Sequence, residues 1–256
     1  MTRTTTIAVF VIAHPDDESM FFLPTICSLQ CVRSNSRELP LQQVWLVCLS
    51  NGNYNGLGTT REIELNRAGG YLGLDRIMIV HHDELQDSPT QRWPKHVVAR
   101  VLEEMCLLLT TTDSDSDYNL RLYTFDEKGV SGHINHVDTY LGVKYFLQNR
   151  DHTEKVHVQG FQLMTNDNLL TKYFPLVHWV VFLCTLLGIG KKAPTSIQQS
   201  TRYTLYQPWI NWKCMAYHAS QFVWYRRLFV VFSCYTYENQ WRPIACVEQQ
   251  SSKGTQ

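Results

Sequence analysis

Apolar and polar positions in the first half of the chain alternate in a way that predicts strands separated by helices. Ile7 to Ala13 is an almost continuous run of β-branched and other apolar residues, typical of a strand buried on both faces. Three further runs predict strands at Gln43–Leu49, Arg76–Val80 and Leu120–Phe125. Helical spacing of apolar residues predicts helices at Phe21–Val32, Thr60–Leu72 and Gln91–Leu109. This alternation indicates an α/β fold with a parallel sheet and right-handed crossovers.

The second half of the chain follows a different pattern. Val156 to Thr165 predicts one more strand, and the aromatic-rich segment Lys213 to Tyr237 predicts a helix that continues at least to Phe232. The last residues, 248–256, have the polar composition of a disordered tail. We therefore expect a single domain over residues 1–247, with an apolar and aromatic helical region towards its C-terminus.

One apolar segment, Phe174 to Gly190, allows two interpretations. It is slightly shorter than the ~20 residues that a membrane-spanning helix needs. It is either a helix buried in the core or an interfacial segment that contacts a membrane, with Trp179 and Lys191-Lys192 at the lipid boundary. The aromatic run Phe222 to Phe232 either joins that surface or packs as core.

Charge and cysteine content exclude some classes of function. The 256 residues contain 23 Lys plus Arg and 23 Asp plus Glu, so no net positive charge attracts nucleic acid or another polyanion. The eight cysteines include no CxxC pair, which argues against an all-cysteine zinc site. A globular enzyme with a large core fits this composition.

Polar motifs follow each of the first four predicted strands. They are His14–Glu18, Ser50–Gly58, His81–Asp87 and Asp126–His136. In parallel α/β sheets, ligands bind beyond the carboxyl ends of the strands. We therefore expect these four loops to meet at one edge of the sheet and to form a site there.

Two of these loops contain a candidate metal centre. The runs HPDDE at residues 14–18 and GHINH at residues 132–136 supply three carboxylates and three imidazoles. This is enough for a zinc centre with three protein ligands and a separate acid–base pair. Each motif also has an ordinary interpretation, because acidic residues after a strand cap helices and HxxH pairs occur in cores and on surfaces. Both motifs at one sheet edge favour a metal-dependent hydrolase.

These motifs resemble those of the LmbE-like zinc-dependent de-N-acetylases. The resemblance implies a Rossmann-like fold, with a mostly parallel sheet and helices on both faces, and removal of acetyl from N-acetylglucosamine conjugates. It implies that His14, Asp17 and His136 hold the metal. It also implies that Asp16 is the general base and that His133 assists at the tetrahedral intermediate. The implied cofactor is Zn²⁺, although Fe²⁺ accepts the same ligands.

Further segments are similar to the same family. Ser50–Gly52 and Gly56–Leu65 resemble the part that frames the sugar, and Thr124–Gly132 also matches. Tyr217–Leu228 resembles the branch that acts on N-acetylglucosaminyl-phosphatidylinositol (GlcNAc-PI) in the second step of GPI-anchor synthesis. That branch implies a glycolipid substrate, a membrane surface as partner, and a location at the cytosolic face of the endoplasmic reticulum. Two alternatives stay open: a soluble deacetylase of a small GlcNAc conjugate or chito-oligosaccharide, and a non-catalytic subunit that binds sugar lipids.

Three residues are candidate substrate contacts. Arg61 follows the Gly-rich loop and either grips a phosphate or forms an exposed helix pair with Glu62 or Glu64. Asp126 either orients a metal-binding histidine or caps the following turn. His218 either reaches the sugar or is a structural histidine packed among aromatic residues.

Overall fold

The computed structural model describes residues 3–35, 42–112, 116–150, 155–187, 200–205 and 207–245. These residues form a seven-stranded mixed sheet with the strand order β3-β2-β1-β4-β5-β7-β6. Five strands are parallel: β1 (Arg3–Ile12), β2 (Gln42–Cys48), β3 (Arg76–Ile79), β4 (Ser116–Thr124) and β5 (Val156–Leu163). Two antiparallel strands complete the sheet: β6 (Thr201–Thr204) and β7 (Glu238–Pro243).

The predicted Rossmann-like, mostly parallel sheet is confirmed. Every residue from Ile7 to Ala13 is fully buried, as expected for a central strand covered on both faces. β4 begins at Ser116, four residues before the predicted start at Leu120. β6 and β7 were not predicted, because one is only four residues long and the other, ENQWRP, has no apolar run.

Nine helices lie in the described ranges. They are α1 (Leu23–Asn35), α2 (Gly58–Leu72), α3 (Lys95–Thr112), α4 (Gly129–Gly132), α5 (Ile134–Asn149), α6 (Leu169–Tyr173), α7 (Pro175–Leu186), α8 (Trp209–Tyr217) and α9 (Trp224–Phe232). A π-helical turn, Glu18–Phe22, precedes α1. Right-handed crossovers place α1 and α2 on one face of the sheet and α3 and α5 on the other. α3 packs directly against α5.

The prediction of one helix from Lys213 to at least Phe232 is wrong. α8 ends at Tyr217, and α9 begins only at Trp224. In the break, Ser220 donates hydrogen bonds from its backbone N–H (2.8 Å) and its hydroxyl (2.6 Å) to Glu64 of α2. Tertiary contacts with a distant helix therefore interrupt a segment that contains neither glycine nor proline between the two helices.

α7 (Pro175–Leu186) covers most of the described part of the segment Phe174 to Gly190. Its apolar side chains are largely exposed at Leu176, Val180 and Leu183, so the interpretation as a buried core helix is wrong for these residues. Residues 188–190, Lys191-Lys192, the tail 248–256 and the side chains of His178 and Trp179 lie outside what the structure describes. None of the helices in the described ranges combines the length and apolarity required to cross a bilayer.

The strand order reverses between β1 and β4. From β1 the chain continues through β2 to β3 on one side, and β4 and β5 lie on the other side. Crevices at such reversal points, beyond the carboxyl ends of the strands, are where open α/β sheets bind ligands. The HPDDE motif follows β1 and the GHINH motif follows β4, so the topology brings the two motifs together at this point.

Candidate active site

The HPDDE turn is held by its own carboxylates. Asp16 has a φ of 118°, a backbone conformation that few residues other than glycine adopt. Its N–H donates to Glu18 Oε2 (3.1 Å). Asp17 Oδ2 accepts the backbone N–H groups of Ala13 (3.1 Å) and His14 (2.8 Å). The carboxylate of Asp17 points back to the strand end and does not cap the following π-helical turn, so the helix-capping interpretation is wrong for this residue.

His136 is oriented by its neighbours towards Asp17. Its ring stacks on Phe125, with centroids 4.0 Å apart and planes 7° apart. Its Nδ1 lies 3.0 Å from the carbonyl oxygen of Gly129, which accepts a hydrogen bond from the ring. With that proton on Nδ1, Nε2 is the nitrogen available to a metal; it lies 3.1 Å from Asp17 Oδ1 and, when protonated, donates a hydrogen bond to it. Fixing one ring nitrogen as a donor so that the other can bind a metal is a common feature of ligating histidines.

His14 has a similar arrangement with the two nitrogens exchanged. Its Nε2 lies 3.2 Å from Asp87 Oδ1 and 3.2 Å from Asn135 Oδ1, both of which are acceptors. The proton is therefore on Nε2, and the lone pair is on Nδ1, 3.8 Å from Asp17 Oδ2. His14, Asp17 and His136 thus bring free donor atoms to one place, although they come from separate motifs.

His133 belongs to the same cluster. Each of His14, His133 and His136 offers one ring nitrogen, and these three atoms lie within 4.8 Å of one another. Imidazole nitrogens together with a carboxylate are the donors that zinc prefers. The residues present therefore fit a divalent cation. The particular ligand set His14, Asp17 and His136 stays a prediction, because His133 lies close enough to compete with Asp17.

The pKa values at the cluster favour an ionised Asp17 and a neutral His133. Burial by itself raises the pKa of Asp17, but the charge and hydrogen bond of His136, together with His14, outweigh it and leave the pKa well below its usual range. Burial by itself lowers the pKa of His14, but the hydrogen bond that it donates to Asp87 and the charge of Asp17 outweigh it, and the net pKa is raised. Burial, followed by the charges of His14 and His136, lowers the pKa of His133 to about 4.

Asp16 lies between two guanidinium groups. Arg61 Nη2 is 3.3 Å from Asp16 Oδ1, and Arg226 Nη1 donates to Asp16 Oδ2. Arg61 also donates to the carbonyl oxygens of Gly52 (2.9 Å) and Pro15 (2.7 Å). The predicted general base is therefore held at both of its oxygens. Its role as a base stays a prediction.

Arg61 is buried, so the alternative of an exposed helix pair with Glu62 or Glu64 is wrong. Its guanidinium also lies 3.3 Å from Asp87 Oδ2. Gly52 has a φ of +69°, and a Cβ there would lie 2.3 Å from Arg61 Nη1. The glycine of the loop after β2 therefore leaves room for this side chain. Binding of substrate by Arg61 stays a prediction.

His218 and Asp126 have protein partners. The ring of His218 is fully buried, and its Nε2 lies 2.6 Å from Glu18 Oε1. It therefore supports the HPDDE turn from behind rather than facing solvent. Asp126 accepts hydrogen bonds from Thr165 N (2.7 Å), Thr165 Oγ1 (2.6 Å) and Lys128 N (3.1 Å). These contacts correspond to the turn-capping interpretation of Asp126.

The sequence reasoning missed three residues at the site. Asp87 lies in the loop after β3, which the pattern places at the correct edge of the sheet without indicating which side chain matters. Asn135 lies inside the GHINH motif and contacts His14. Arg226 is in an aromatic run with no recognisable spacing, and only the folded chain brings it to Asp16.

A mostly parallel α/β sheet with a cluster at its reversal point that fits a divalent cation is compatible with the class of metal-dependent α/β hydrolases. The family model described as "GlcNAc-PI de-N-acetylase" (PIG-L) matches residues 9–147 of the 256, more than half of the chain. The chain belongs to this family.

Relatives and solved structures agree with this assignment. The chain is 33% identical to the N-acetylglucosaminyl-phosphatidylinositol de-N-acetylase of Bos taurus, over 89% of this chain and 79% of the relative. It is 32% identical to a probable enzyme of that name from Schizosaccharomyces pombe, over 90% of this chain and 84% of the relative. The zinc-inhibited form of the teicoplanin deacetylase Orf2 shares the fold, with a TM-score of 0.54, 11% identity, and coverage of 95% of this chain and 99% of that one.

Proposed function

We propose that this protein hydrolyses the acetamide of GlcNAc-PI, releasing acetate and glucosaminyl-phosphatidylinositol in the second step of GPI-anchor synthesis. The observation that carries the proposal is the intact cluster of His14, Asp17, His133 and His136 in a chain of this family. The names of the relatives supply the substrate.

Zn²⁺ is the proposed metal. His14 Nδ1, Asp17 Oδ1 and His136 Nε2 are the atoms that would hold it, and Fe²⁺ accepts the same donors. A divalent ion in such a site polarises a carbonyl and makes water more acidic. The hydrogen bonds from His14 and His136 to Asp87 and Gly129 fix one proton on the other ring nitrogen, so His14 Nδ1 and His136 Nε2 are the nitrogens available to a metal.

Asp16 and His133 have the proposed proton-handling roles. Asp16, adjacent to the predicted ligand Asp17, takes the proton from the attacking water, and this proton passes to the sugar nitrogen as the C–N bond breaks. His133 Nδ1 accepts the backbone N–H of Asn135 (3.2 Å), which places the ring proton on Nε2. Because the pKa of His133 is about 4, its imidazole is neutral near pH 7. Its Nε2–H donates a hydrogen bond to the oxyanion that develops on the acetamide carbonyl.

A membrane surface is the proposed place of action, at the cytosolic face of the endoplasmic reticulum. A substrate with two acyl chains stays in the bilayer, so the enzyme has to reach it there. Large apolar side chains are exposed on three neighbouring parts of the second half: α6, α7 and α9. This exceeds the scattered single apolar residues of an ordinary surface and is typical of contact with lipid.

Acetate release tests the proposed function. Purified protein is incubated with GlcNAc-PI in lipid vesicles and, separately, with a soluble GlcNAc conjugate, with and without a chelator. We expect acetate from GlcNAc-PI, loss of activity with chelator and recovery after addition of Zn²⁺ or Fe²⁺. Faster release from the soluble conjugate would favour a soluble deacetylase. No release from either compound by metal-loaded protein would rule out a deacetylase.

A further inference from the structure

The two guanidinium groups at Asp16 differ in their access to solvent. The side chain of Arg61 is 7% exposed, and its contacts with two backbone carbonyls fix it inside the protein. The side chain of Arg226 is 23% exposed, and its other partners are the side chain and backbone of Gln221 in the preceding turn. Of these two arginines, Arg226 is therefore the one that an incoming anion can reach.

Arg226 also lies at the polar end of an apolar cleft. The cleft has a volume of about 530 Å³ and lies between α6 and α9. Its walls include Tyr173, Phe174, Tyr225, Leu228, Phe229 and Phe232. Arg226 is the charged residue of this lining, and its guanidinium points away from the apolar walls to Asp16. Arg226 thus links Asp16, the neighbour of the predicted ligand Asp17, to an apolar surface.

We propose that Arg226 binds the phosphodiester of the lipid substrate and that the cleft takes the adjoining part of its acyl chains. This inference rests on the proposed function. GlcNAc-PI contains, in order, the acetylated sugar, inositol, a phosphodiester and two acyl chains, and Asp16, Arg226 and the apolar cleft are linked in the same order. Guanidinium groups bind phosphate oxygens with two parallel hydrogen bonds, and the cleft is continuous with this charge.

Because Arg226 forms an ion pair with Asp16, binding of the phosphodiester by Arg226 affects which substrates react. A phosphodiester competes with Asp16 for the guanidinium and, on binding, leaves Asp16 Oδ2 without that partner. A substrate that carries the phosphodiester therefore frees the proposed base, and a sugar without it does not. Arg226 thus distinguishes lipid-linked from phosphate-free GlcNAc compounds.

A ratio of specificity constants tests the role of Arg226. kcat/KM is measured for GlcNAc-PI and for GlcNAc-inositol, which lacks both phosphate and acyl chains. For Arg226→Gln we expect the ratio of the two values to fall about 10- to 100-fold, mainly through a higher KM for GlcNAc-PI, as for loss of a charged hydrogen bond. Arg227→Gln is the matched control on the same helix, since Arg227 donates to Phe222 O (3.1 Å) and is not in the cleft lining, and should change the ratio less than about twofold.

The outcomes separate the two proposals. A wild-type protein that releases no acetate from GlcNAc-PI sinks the proposed function and this inference with it. An active wild-type protein whose ratio is unchanged in Arg226→Gln overturns only this inference, because Arg226 then acts on both substrates equally through Asp16. Circular dichroism and metal content of each variant show whether it is folded. Arg226→Lys keeps the positive charge, so its ratio of kcat/KM values should lie between those of the wild type and Arg226→Gln.

The cleft is tested with a pair of leucines. Leu228 lines the cleft and is 50% exposed, whereas Leu107 on α3 is 63% exposed and lies elsewhere. Leu228→Ser should lower the preference for long-chain over short-chain GlcNAc-PI about three- to tenfold, because the acyl chain loses apolar contact. Leu107→Ser should leave this preference unchanged. If Leu228→Ser and Leu107→Ser show the same preference for long-chain over short-chain GlcNAc-PI, the cleft does not bind the acyl chains.

Discussion

Asp16 combines an unusual backbone conformation with an unusual set of partners. Its φ of 118° is supported by the hydrogen bond from its N–H to Glu18, and both of its carboxylate oxygens contact arginines. Strained residues of this kind persist only where surrounding contacts enforce them, and they cluster at functional sites. Asparagine tolerates positive φ better than most residues, so it is the substitution that isolates the carboxylate charge.

We expect Asp16→Asn to lower kcat for acetate release about 10²- to 10⁴-fold, because the amide cannot accept the proton from water. Bound metal should stay at the wild-type level, since the predicted ligands are unchanged. Asp83→Asn, at an exposed position in the loop after β3, is the control and should behave as wild type. Elemental analysis and initial rates measure both quantities. A metal-loaded Asp16→Asn protein with a near-normal rate would refute the role of the base.

At the scale of single elements, the stability of the fold depends on the close packing of α3 against α5 on one face of the sheet. Gly142 of α5 faces α3, and a Cβ built there would lie 2.3 Å from Val98 Cβ. A branched Cβ on a helix cannot move aside as the end of a long side chain can. In contrast, a Cβ at Gly70 of α2 would meet nothing within 4 Å. The same substitution therefore has opposite consequences at these two helical positions.

We expect Gly142→Ala to lower the free energy of unfolding by about 1–3 kcal/mol through overpacking between α3 and α5. Gly70→Ala should raise it by about 0.4–1 kcal/mol, because alanine loses less backbone entropy on folding into a helix. Urea denaturation of the metal-loaded protein measures both. An unchanged midpoint for Gly142→Ala would show that the two helices separate at little cost.

Elements with strong periodicity were predictable, and those defined by tertiary contacts were not. The run Ile7 to Ala13 identifies β1 because a fully buried strand tolerates no polar residue. The break between α8 and α9 was missed, since it depends on Ser220 contacting Glu64, 156 residues away in sequence. β7 was also missed, because its buried Asn239 is satisfied by hydrogen bonds to Thr25 and Phe21 rather than by an apolar pattern.

At the scale of the whole molecule, the site was predictable as far as topology determines it. Motifs after parallel strands meet at one edge, and this placed His14 and His136 together from sequence alone. The partners that complete the site were not predictable. Arg226 reaches Asp16 from 210 residues away, and His218 reaches Glu18 from 200 residues away. Neither pair has a spacing that a sequence pattern could reveal.

The exposed apolar side chains of α7 give a prediction for the whole molecule on a membrane. We expect the protein to co-sediment with vesicles of phosphatidylcholine and phosphatidylinositol. The double substitution Leu176→Glu with Leu183→Glu should lower the partition coefficient at least about tenfold, because it removes apolar burial and adds charge at the interface. Leu107→Glu on the exposed surface of α3 is the control. Equal partitioning of the two proteins would show that α7 does not contact lipid.

The HPDDE and GHINH motifs lie far apart in the sequence, and this determines when the candidate metal centre can form during synthesis. His14 leaves the ribosome 121 residues before Asn135, and Glu18 leaves it 200 residues before His218. A nascent chain that has not yet produced α5 can already contain β1 and β4, but it lacks the second pair of histidines, His133 and His136. Binding of a metal by the predicted set of His14, Asp17 and His136 therefore requires that synthesis has passed the second motif.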